Sequence, residues 1–113
     1  MKEFMFLMQG DDSKDLSPQE MQARMGGYMQ WMKKMTDEGR LKAGQPLEPS
    51  GRLLMRDQSV VTDGPFLEPT EIIGGYVIVL AADLDEATEL AKGCPLLSHC
   101  DIQVRPVFDV PAP

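Results

Sequence analysis

Two segments of this chain are apolar at almost every position, and they restrict the possible folds more than any other feature. Residues 4–8 are five consecutive apolar side chains, and residues 72–81 concentrate isoleucine, valine and tyrosine. β-Branched and aromatic residues favour strands, and a strand that is apolar on both faces belongs inside a sheet covered on both sides. We therefore predict a central strand at Lys2–Gln9 and a second strand at residues 72–81.

The segment between these strands carries a strongly marked helix start. Ser17 suits the N-cap, Pro18 suits the first helical position, and Glu20 completes an S-x-x-E capping box, while Gly39 is the predicted stop. Apolar residues at steps of three and four form one helical face: Met21, Met25, Tyr28, Met32 and Met35. This stripe favours core packing. The alternative is an adaptable surface for a ligand or partner, because methionine is flexible and polarizable.

A hairpin is predicted in the middle of the chain. Residues 40–46 can hold a short extended piece, and residues 52–56 and 59–62 have the pattern of two strands joined by a turn at residues 57–58. Residues 63–70 contain two prolines and a glycine, which is typical of a turn or loop.

A second helix and a last strand complete the order. Asp83 is the predicted N-cap and Gly93 the predicted stop, and residues 102–108 form the last strand. The inward face of the second helix is predicted to consist of Leu84, Ala87, Leu90 and Ala91.

This order predicts one α+β domain at residues 1–109, followed by a short proline-rich tail at residues 110–113. With the hairpin taken as an insertion, the elements form the ferredoxin-like order βαββαβ, in which two helices cover one face of an antiparallel sheet. The other face would then be apolar and uncovered. We expect a second copy of the chain to cover it, giving a homodimer of the dimeric α+β barrel type.

Composition argues against several classes of function. The net charge is −7 and there is no basic stripe, so nucleic-acid binding is not expected. No apolar run approaches the roughly 18 residues of a membrane span, and residues 4–8 are too short for a signal-peptide core, so we expect a cytoplasmic protein. Cys94 and Cys100 are predicted to be reduced packing residues. No cysteine or histidine cluster has ligand spacing, and we expect no metal and no cofactor.

Several motifs, in the same order along the chain, resemble those of one known family. Residues 61–66 read V-T-D-G-P-F, and the chain resembles the DGPF branch of the YciI-like (YCII-related) family. The similarity extends over essentially the whole chain. It includes Glu68 and Glu71, the Gly74-Gly75-Tyr76 start of a strand, Cys94-Pro95, and Val104-Arg105-Pro106.

The resemblance implies a ferredoxin-like dimer with a cleft lined by both subunits. Some YciI-like members are proposed enzymes with a histidine and an aspartate in that cleft, and other DGPF members occur beside extracytoplasmic-function sigma factors, which implies a regulatory setting. This chain departs from the pattern, because it has no histidine between Leu16 and Gly39 and its single histidine is His99. Pro69 and Thr70 also stand where that branch usually has a threonine and a lysine, between the two glutamates. Asp63 is the one member of the proposed pair with a counterpart.

The charged candidates each have a structural and a functional interpretation. Asp63 either stabilises the D-G-P-F turn through its side chain or acts as a general base or polar anchor in the cleft. Arg105 either forms a structural ion pair with Asp63, Glu71 or Asp101, or clamps an anionic ligand through its planar guanidinium group. Glu71 is either a solvated edge charge or a second cleft carboxylate.

The remaining candidates are His99, Tyr28 and Tyr76. His99 is either an exposed loop residue or a ligand-binding group. Tyr28 and Tyr76 either pack in the core or direct their hydroxyl groups into the same pocket.

Three functions remain open from the sequence. The first is a dimeric small-molecule-binding or regulatory module linked to a sigma-factor or stress-response setting. The second is a cofactor-free enzyme that carries out proton transfer or elimination on small organic acids, with Asp63 as base and Arg105 as anion clamp. The third is a scaffold dimer in which both residues serve the fold.

Overall fold

The computed structural model describes residues 1–10, 16–48, 50–62 and 72–111. The strands are β1 Lys2–Gln9, β2 Leu41–Pro46, β3 Arg52–Leu54, β4 Val60–Thr62, β5 Ile73–Ala81 and β6 Asp101–Pro106. The helices are α1 Pro18–Asp37 and α2 Leu84–Lys92, and a 3-10 turn follows at Pro95–Ser98. Neither helix of the described ranges is long and apolar enough to cross a lipid bilayer.

The main sheet has four strands in the order β2-β5-β1-β6, and all of its pairings are antiparallel. Strands β3 and β4 pair only with each other, as a separate hairpin. With that hairpin set aside, the order along the chain is βαββαβ, and the predicted ferredoxin-like α+β fold is confirmed. The predicted central position of β1 is confirmed as well, because β5 and β6 flank it.

Helix α1 begins and ends where the sequence predicts. The Glu20 backbone N–H donates to Ser17 Oγ at 3.1 Å, and the Ser17 N–H donates to Glu20 Oε1 at 3.3 Å, so the capping box is formed. At the other end Gly39 has a φ of 71°, and the Arg40 N–H donates to the Met35 carbonyl at 2.8 Å. Glycine adopts this left-handed conformation at little cost, which explains the stop.

The core lies between the sheet and the two helices. Alternate residues of β1 and β5 point to this side, where they meet α1 and α2. Trp31 is part of this core although it lies outside the predicted methionine stripe, and its ring centroid is 6.3 Å from that of Phe6. The buried residues are Phe4, Phe6, Met8, Tyr28, Trp31, Met35, Val77, Val79, Ala81, Ala87, Ala91 and Cys94.

The prediction that Leu84 faces inward was wrong, since its side chain is 46% exposed. Surface polar contacts hold the first turn of α2. The Glu86 N–H donates to Asp83 Oδ1 at 2.8 Å, and the Glu86 carboxylate accepts from the Ala82 N–H and from the Arg40 guanidinium group. Ala87, Ala91 and the half-buried Leu90 make the contact with the core instead.

The two hairpin strands and the last strand are shorter in the structure than in the sequence pattern. The first hairpin strand ends at Leu54, and the second begins at Val60. Between them the turn is closed, because Gln58 has a φ of 71° and the Ser59 N–H donates to Asp57 Oδ1. Strand β6 ends at Pro106 and does not reach residue 108. The last backbone hydrogen bond between this segment and β1 joins the Val107 N–H to the Glu3 carbonyl, near the start of β1.

The opposite face of the sheet carries apolar side chains that neither helix covers. Met5 and Leu7 on β1 alternate with the core residues, as do Tyr76, Ile78 and Leu80 on β5, and all are half-buried. Polar contacts lie among them on the same face: Lys42 Nζ to Glu3 Oε2 at 2.6 Å, and Gln103 Nε2 to Gln9 Oε1 at 2.6 Å. Within the described ranges, the helices therefore leave one largely apolar sheet face uncovered.

Candidate functional site

A cleft of about 250 Å³ lies at one end of the sheet, on the same side as the helices. It is formed where β1 and β2 end and β5 begins, beneath the N-terminal half of α1 and beside the residues that follow the 3-10 turn. Its lining residues are Met8, Gly10, Met21, Arg24, Met25, Tyr28, Pro46, Leu47, Ile72, Gly74, Gly75, Leu96, His99 and Cys100.

Most of the cleft wall is apolar. Three methionines line it, Met8 from β1 and Met21 and Met25 from α1, together with proline, leucine and isoleucine side chains. Methionine adapts to irregular shapes and makes favourable contacts between its sulfur and aromatic rings. The methionine stripe therefore serves two purposes along its length: its C-terminal part packs in the core, and its N-terminal part lines the cleft.

A close approach of two strands sets the floor of the cleft. A Cβ atom at Gly75 would lie 3.1 Å from the Gln45 carbonyl oxygen and 3.2 Å from Pro46 Cα. Only a residue without a side chain allows this approach of β2 to β5. The Leu47 N–H then donates to the Gly74 carbonyl at 2.9 Å, which holds the end of β2 against β5 at the cleft.

Two polar side chains of the cleft lining contact each other. Arg24 on α1 and His99 after the 3-10 turn are joined by a contact of 3.0 Å between Arg24 Nη2 and His99 Nδ1. Arg24 is half-buried and His99 is exposed. A charged guanidinium group and an imidazole ring therefore lie together in the lining of a mostly apolar cleft.

Tyr28 is the buried polar residue of the wall. Burial raises the pKa of its phenol above the usual value, and the neighbouring Cys94 thiol adds to the effect. The hydroxyl group therefore keeps its proton at neutral pH and is a neutral hydrogen-bond donor. Its ring centroid lies 6.4 Å from that of Trp31, so the same side chain also belongs to the core.

The two cysteines behave as the sequence predicts. No disulfide joins them, and Cys94 is buried while Cys100 is half-buried. Burial raises the pKa of Cys94 to about 11, so its thiol is protonated and inert at neutral pH. The Cys100 Sγ lies 3.3 Å from the Leu96 carbonyl. Within the described ranges no three histidine, cysteine or acidic side chains come close enough together to hold a metal ion.

The structure separates the ligand-binding residues predicted from the sequence into two groups. Tyr28 and His99 line the cleft. Tyr76 lies on the opposite face of the sheet, and so does Arg105, which is exposed and pairs in register with Met5. Asp63 and Glu71 lie outside the described residues.

Arg105 also lacks one of its predicted ion pairs. Of the described residues, Asp101 was the predicted carboxylate partner, and no ion pair joins it to Arg105. The role in binding that the sequence predicts for Arg105, and for the other candidate residues, stays a prediction.

Sequence reasoning missed Arg24. Residues four apart lie on the same face of a helix, so the spacing between Arg24 and Tyr28 was an available signal. The stripe on this face was defined by apolar residues, so it did not include the charged Arg24. Its partner His99 is 75 positions away in the chain, and nothing local indicates that the two meet.

Comparison with known proteins gives a family and related solved structures. The model of the YCII-related domain matches residues 3–111. Among solved structures, the chain is similar to 5-chloro-2-hydroxyhydroquinone dehydrochlorinase (TftG) from Burkholderia phenoliruptrix AC1100, in complex with 2,5-dihydroxybenzoquinone, with a TM-score of 0.53. Sequence identity is 13%, over 94% of this chain and 93% of that chain, so the likeness shows the shared fold. The curated proteins contain no significant match.

The state of the Cys94 thiol can be tested by alkylation. In a Cys100→Ser variant Cys94 is the single thiol of the chain. We expect iodoacetamide at about pH 7.5 to modify the folded variant at least roughly a hundredfold more slowly than the same variant unfolded in urea, because the thiolate is scarce and buried. Equal rates in the two states, followed by mass spectrometry, would contradict the burial and the raised pKa.

Proposed function

The chain belongs to the YCII-related domain family, and on that premise we propose that it binds a small organic molecule in the cleft between α1 and the end of the sheet. The observation that carries this proposal is the cleft itself: a mostly apolar wall with three methionines, in which the polar side chains of Arg24 and His99 contact each other. Small-molecule sites typically combine such an apolar lining with a few polar groups that fix the orientation of the ligand.

The volume of the cleft limits the ligand. Cavities of about 150 Å³ accommodate benzene, so a cleft of about 250 Å³ has room for one substituted ring or a short organic acid. A dinucleotide is far larger. TftG, which shares the fold, is described in complex with 2,5-dihydroxybenzoquinone, a molecule of suitable size. That compound is a reasonable first probe for this cleft.

We propose further that the protein forms a homodimer. The support for this is the apolar sheet face formed by residues such as Leu7, Ile78 and Leu80, which the helices leave uncovered. A second copy that packs the same face against it would bury these side chains from water, and two-fold pairing of identical surfaces is the commonest arrangement of soluble oligomers.

Three finer assignments stay predictions from the sequence. The DGPF branch of the family rests on residues 61–66 and the motifs that follow them. A regulatory setting beside an extracytoplasmic-function sigma factor is implied by resemblance to that branch. The cytoplasmic location was inferred from sequence features alone.

Catalysis is a second candidate function. It is favoured by one observation, the fold shared with a dehydrochlorinase. In this version the protein catalyses proton transfer or elimination without a cofactor, with Asp63 as the base. Arg105, on the opposite sheet face, is not part of the described cleft, so an anion clamp would have to come from elsewhere.

Binding in the cleft can be tested by filling it. Met21 lines the cleft, whereas Met29 lies on the same helix and is exposed away from it. We expect Met21→Trp to weaken the binding of 2,5-dihydroxybenzoquinone at least tenfold, because the larger ring occupies ligand space, and Met29→Trp to leave binding unchanged. Isothermal titration calorimetry measures both. Equal affinities in the two variants would place the ligand elsewhere, and no binding to the parent protein would favour a purely structural dimer.

The dimer can be tested by placing a charge on the uncovered sheet face. Ile78→Lys is expected to convert the dimer to a folded monomer, because a buried unpaired lysine is strongly unfavourable in an apolar interface. Met29→Lys, on the exposed side of α1, is the matched control and is expected to remain dimeric. Light scattering coupled to size-exclusion chromatography gives the masses. A parent protein that is monomeric at all concentrations would refute the proposal.

The catalytic candidate predicts release of chloride. We expect the parent protein to accelerate chloride release from 5-chloro-2-hydroxyhydroquinone above the spontaneous rate, and Asp63→Asn to lower that rate by two orders of magnitude or more, since general-base catalysis contributes about 10²–10⁴-fold. Ion chromatography measures the chloride. If the parent protein gives no acceleration, this version of catalysis fails, while binding in the cleft would be unaffected.

A further inference from the structure

The Tyr28 hydroxyl group is a polar group of the cleft wall to which the described chain gives no hydrogen-bond partner. Apart from packing, the side chain has a ring contact with Trp31 and an electrostatic effect from the Cys94 thiol on its pKa. Neither interaction is a hydrogen bond to the hydroxyl group. Burying a hydroxyl group without a partner is unfavourable, and most buried hydroxyl groups in native proteins are paired.

This hydroxyl group is buried with its residue, but it is not sealed from solvent. Tyr28 is 5% exposed, and it lines the cleft. Among the described residues, no side-chain nitrogen or oxygen atom is both sealed from solvent and unpaired, so the unpaired Tyr28 oxygen keeps some accessible surface. The rest of the residue belongs to the core cluster. The accessible surface of the oxygen therefore faces the cleft.

The phenol ring is held in position by its surroundings. Tyr28 lies in the middle of α1, and its ring packs beside the equally buried Trp31 on the same helix. A tyrosine side chain has only two torsion angles, so little conformational freedom is lost when it presents its hydroxyl group to a ligand. The wall thus offers one oxygen at a fixed place.

The chemistry of this oxygen favours one kind of ligand atom. The phenol keeps its proton at neutral pH, and a phenol donates a hydrogen bond more readily than it accepts one, because its oxygen lone pairs are delocalised into the ring. An ionised ligand group would exchange its full hydration for a single neutral donor in a mostly apolar wall, which is unfavourable. An uncharged carbonyl oxygen loses much less hydration and has the lone pairs that the hydroxyl group needs.

From this arrangement we propose that the Tyr28 hydroxyl group donates the hydrogen bond that orients the ligand, and that the ligand is a small aromatic or quinone-like ring with an uncharged carbonyl oxygen. The ring packs against the methionine side chains of the wall, and its carbonyl oxygen accepts from Tyr28. This inference rests on the proposed function, because it assigns the chemical class of the ligand for the same cleft.

The test compares acetophenone with α-methylstyrene, which have nearly the same shape but carry C=O and C=CH₂ at the same position. We expect Tyr28→Phe to weaken the binding of acetophenone about fivefold, the usual net contribution of one hydrogen bond, and to leave the binding of α-methylstyrene unchanged. Tyr76→Phe removes the other tyrosine hydroxyl group of the chain, on the opposite sheet face, and is expected to change neither affinity. Ligand-observed NMR titrations give the dissociation constants.

A second readout reports the hydrogen bond itself. With acetophenone labelled with carbon-13 at its carbonyl, we expect the carbonyl signal of the bound ligand to lie downfield in the parent protein and in Tyr76→Phe. In Tyr28→Phe it is expected to move upfield, because the carbonyl oxygen no longer accepts from the phenol. An identical bound shift in all three proteins would contradict the donor role.

Thermal melts without a ligand give a third readout. Because the Tyr28 hydroxyl group has no partner among the described residues, we expect Tyr28→Phe to keep or slightly raise the melting temperature of the parent protein. A clear fall would show that the protein itself pairs this hydroxyl group, and the inference would be overturned.

The remaining outcomes separate the two proposals. If Tyr28→Phe weakens both ligands equally, or neither, the inference is overturned, while binding in the cleft stands as long as Met21→Trp still weakens it. If 2,5-dihydroxybenzoquinone binds the parent protein and acetophenone does not, the assigned ligand class is wrong. If neither compound binds, the proposed function fails and the inference fails with it.

Discussion

The antiparallel pairing of β1 with β5 is the constraint on which the rest of the structure depends. These two strands are the centre of the sheet, and both are apolar on both faces. On one face Phe6 and Val77 are fully buried, so the two helices must pack there. On the other face Leu7 and Ile78 remain half-buried with no helix over them. The helix layer, the cleft at its end and the uncovered sheet face all follow from this pairing, since helices on one face cannot cover the other.

The cleft exists because the helix layer and the sheet are not in contact at one end of the sheet. The glycine at position 75 lets β2 approach β5 closely, which brings Pro46 and Leu47 to the edge. At position 44 a Cβ atom would lie 3.0 Å from Met32 Cε, so the same strand also packs tightly under α1. The cleft thus lies just beyond the tightly packed part of the core. The floor is closely packed backbone and part of the wall is methionine side chain, a combination that suits a ligand of defined size with some tolerance of shape.

Sequence reasoning predicted the elements but not which side chains share the cleft, and the reason lies in the distance along the chain over which each signal acts. The capping box of α1, the glycine at its end and the strand patterns act within a few residues, so they can be identified in the sequence. Tyr76 could not be assigned to a face, because β5 is apolar on both sides and alternation carries no information there. The contact between Arg24 and His99 depends on how α1 and the 3-10 turn pack together. That packing is a property of the whole fold and leaves no local trace.

The protonation states in and behind the wall of the cleft favour binding over nucleophilic chemistry by the described residues. Burial keeps both the Tyr28 phenol and the Cys94 thiol protonated at neutral pH. These groups can donate hydrogen bonds but are poorly placed to take a proton. The proposed base, Asp63, lies outside the described residues, in the D-G-P-F motif of the segment that precedes Ile72 in the sequence. In the catalytic version of the proposal, binding and proton transfer would therefore belong to different parts of the chain, with the methionine-lined wall holding the ligand and Asp63 taking its proton.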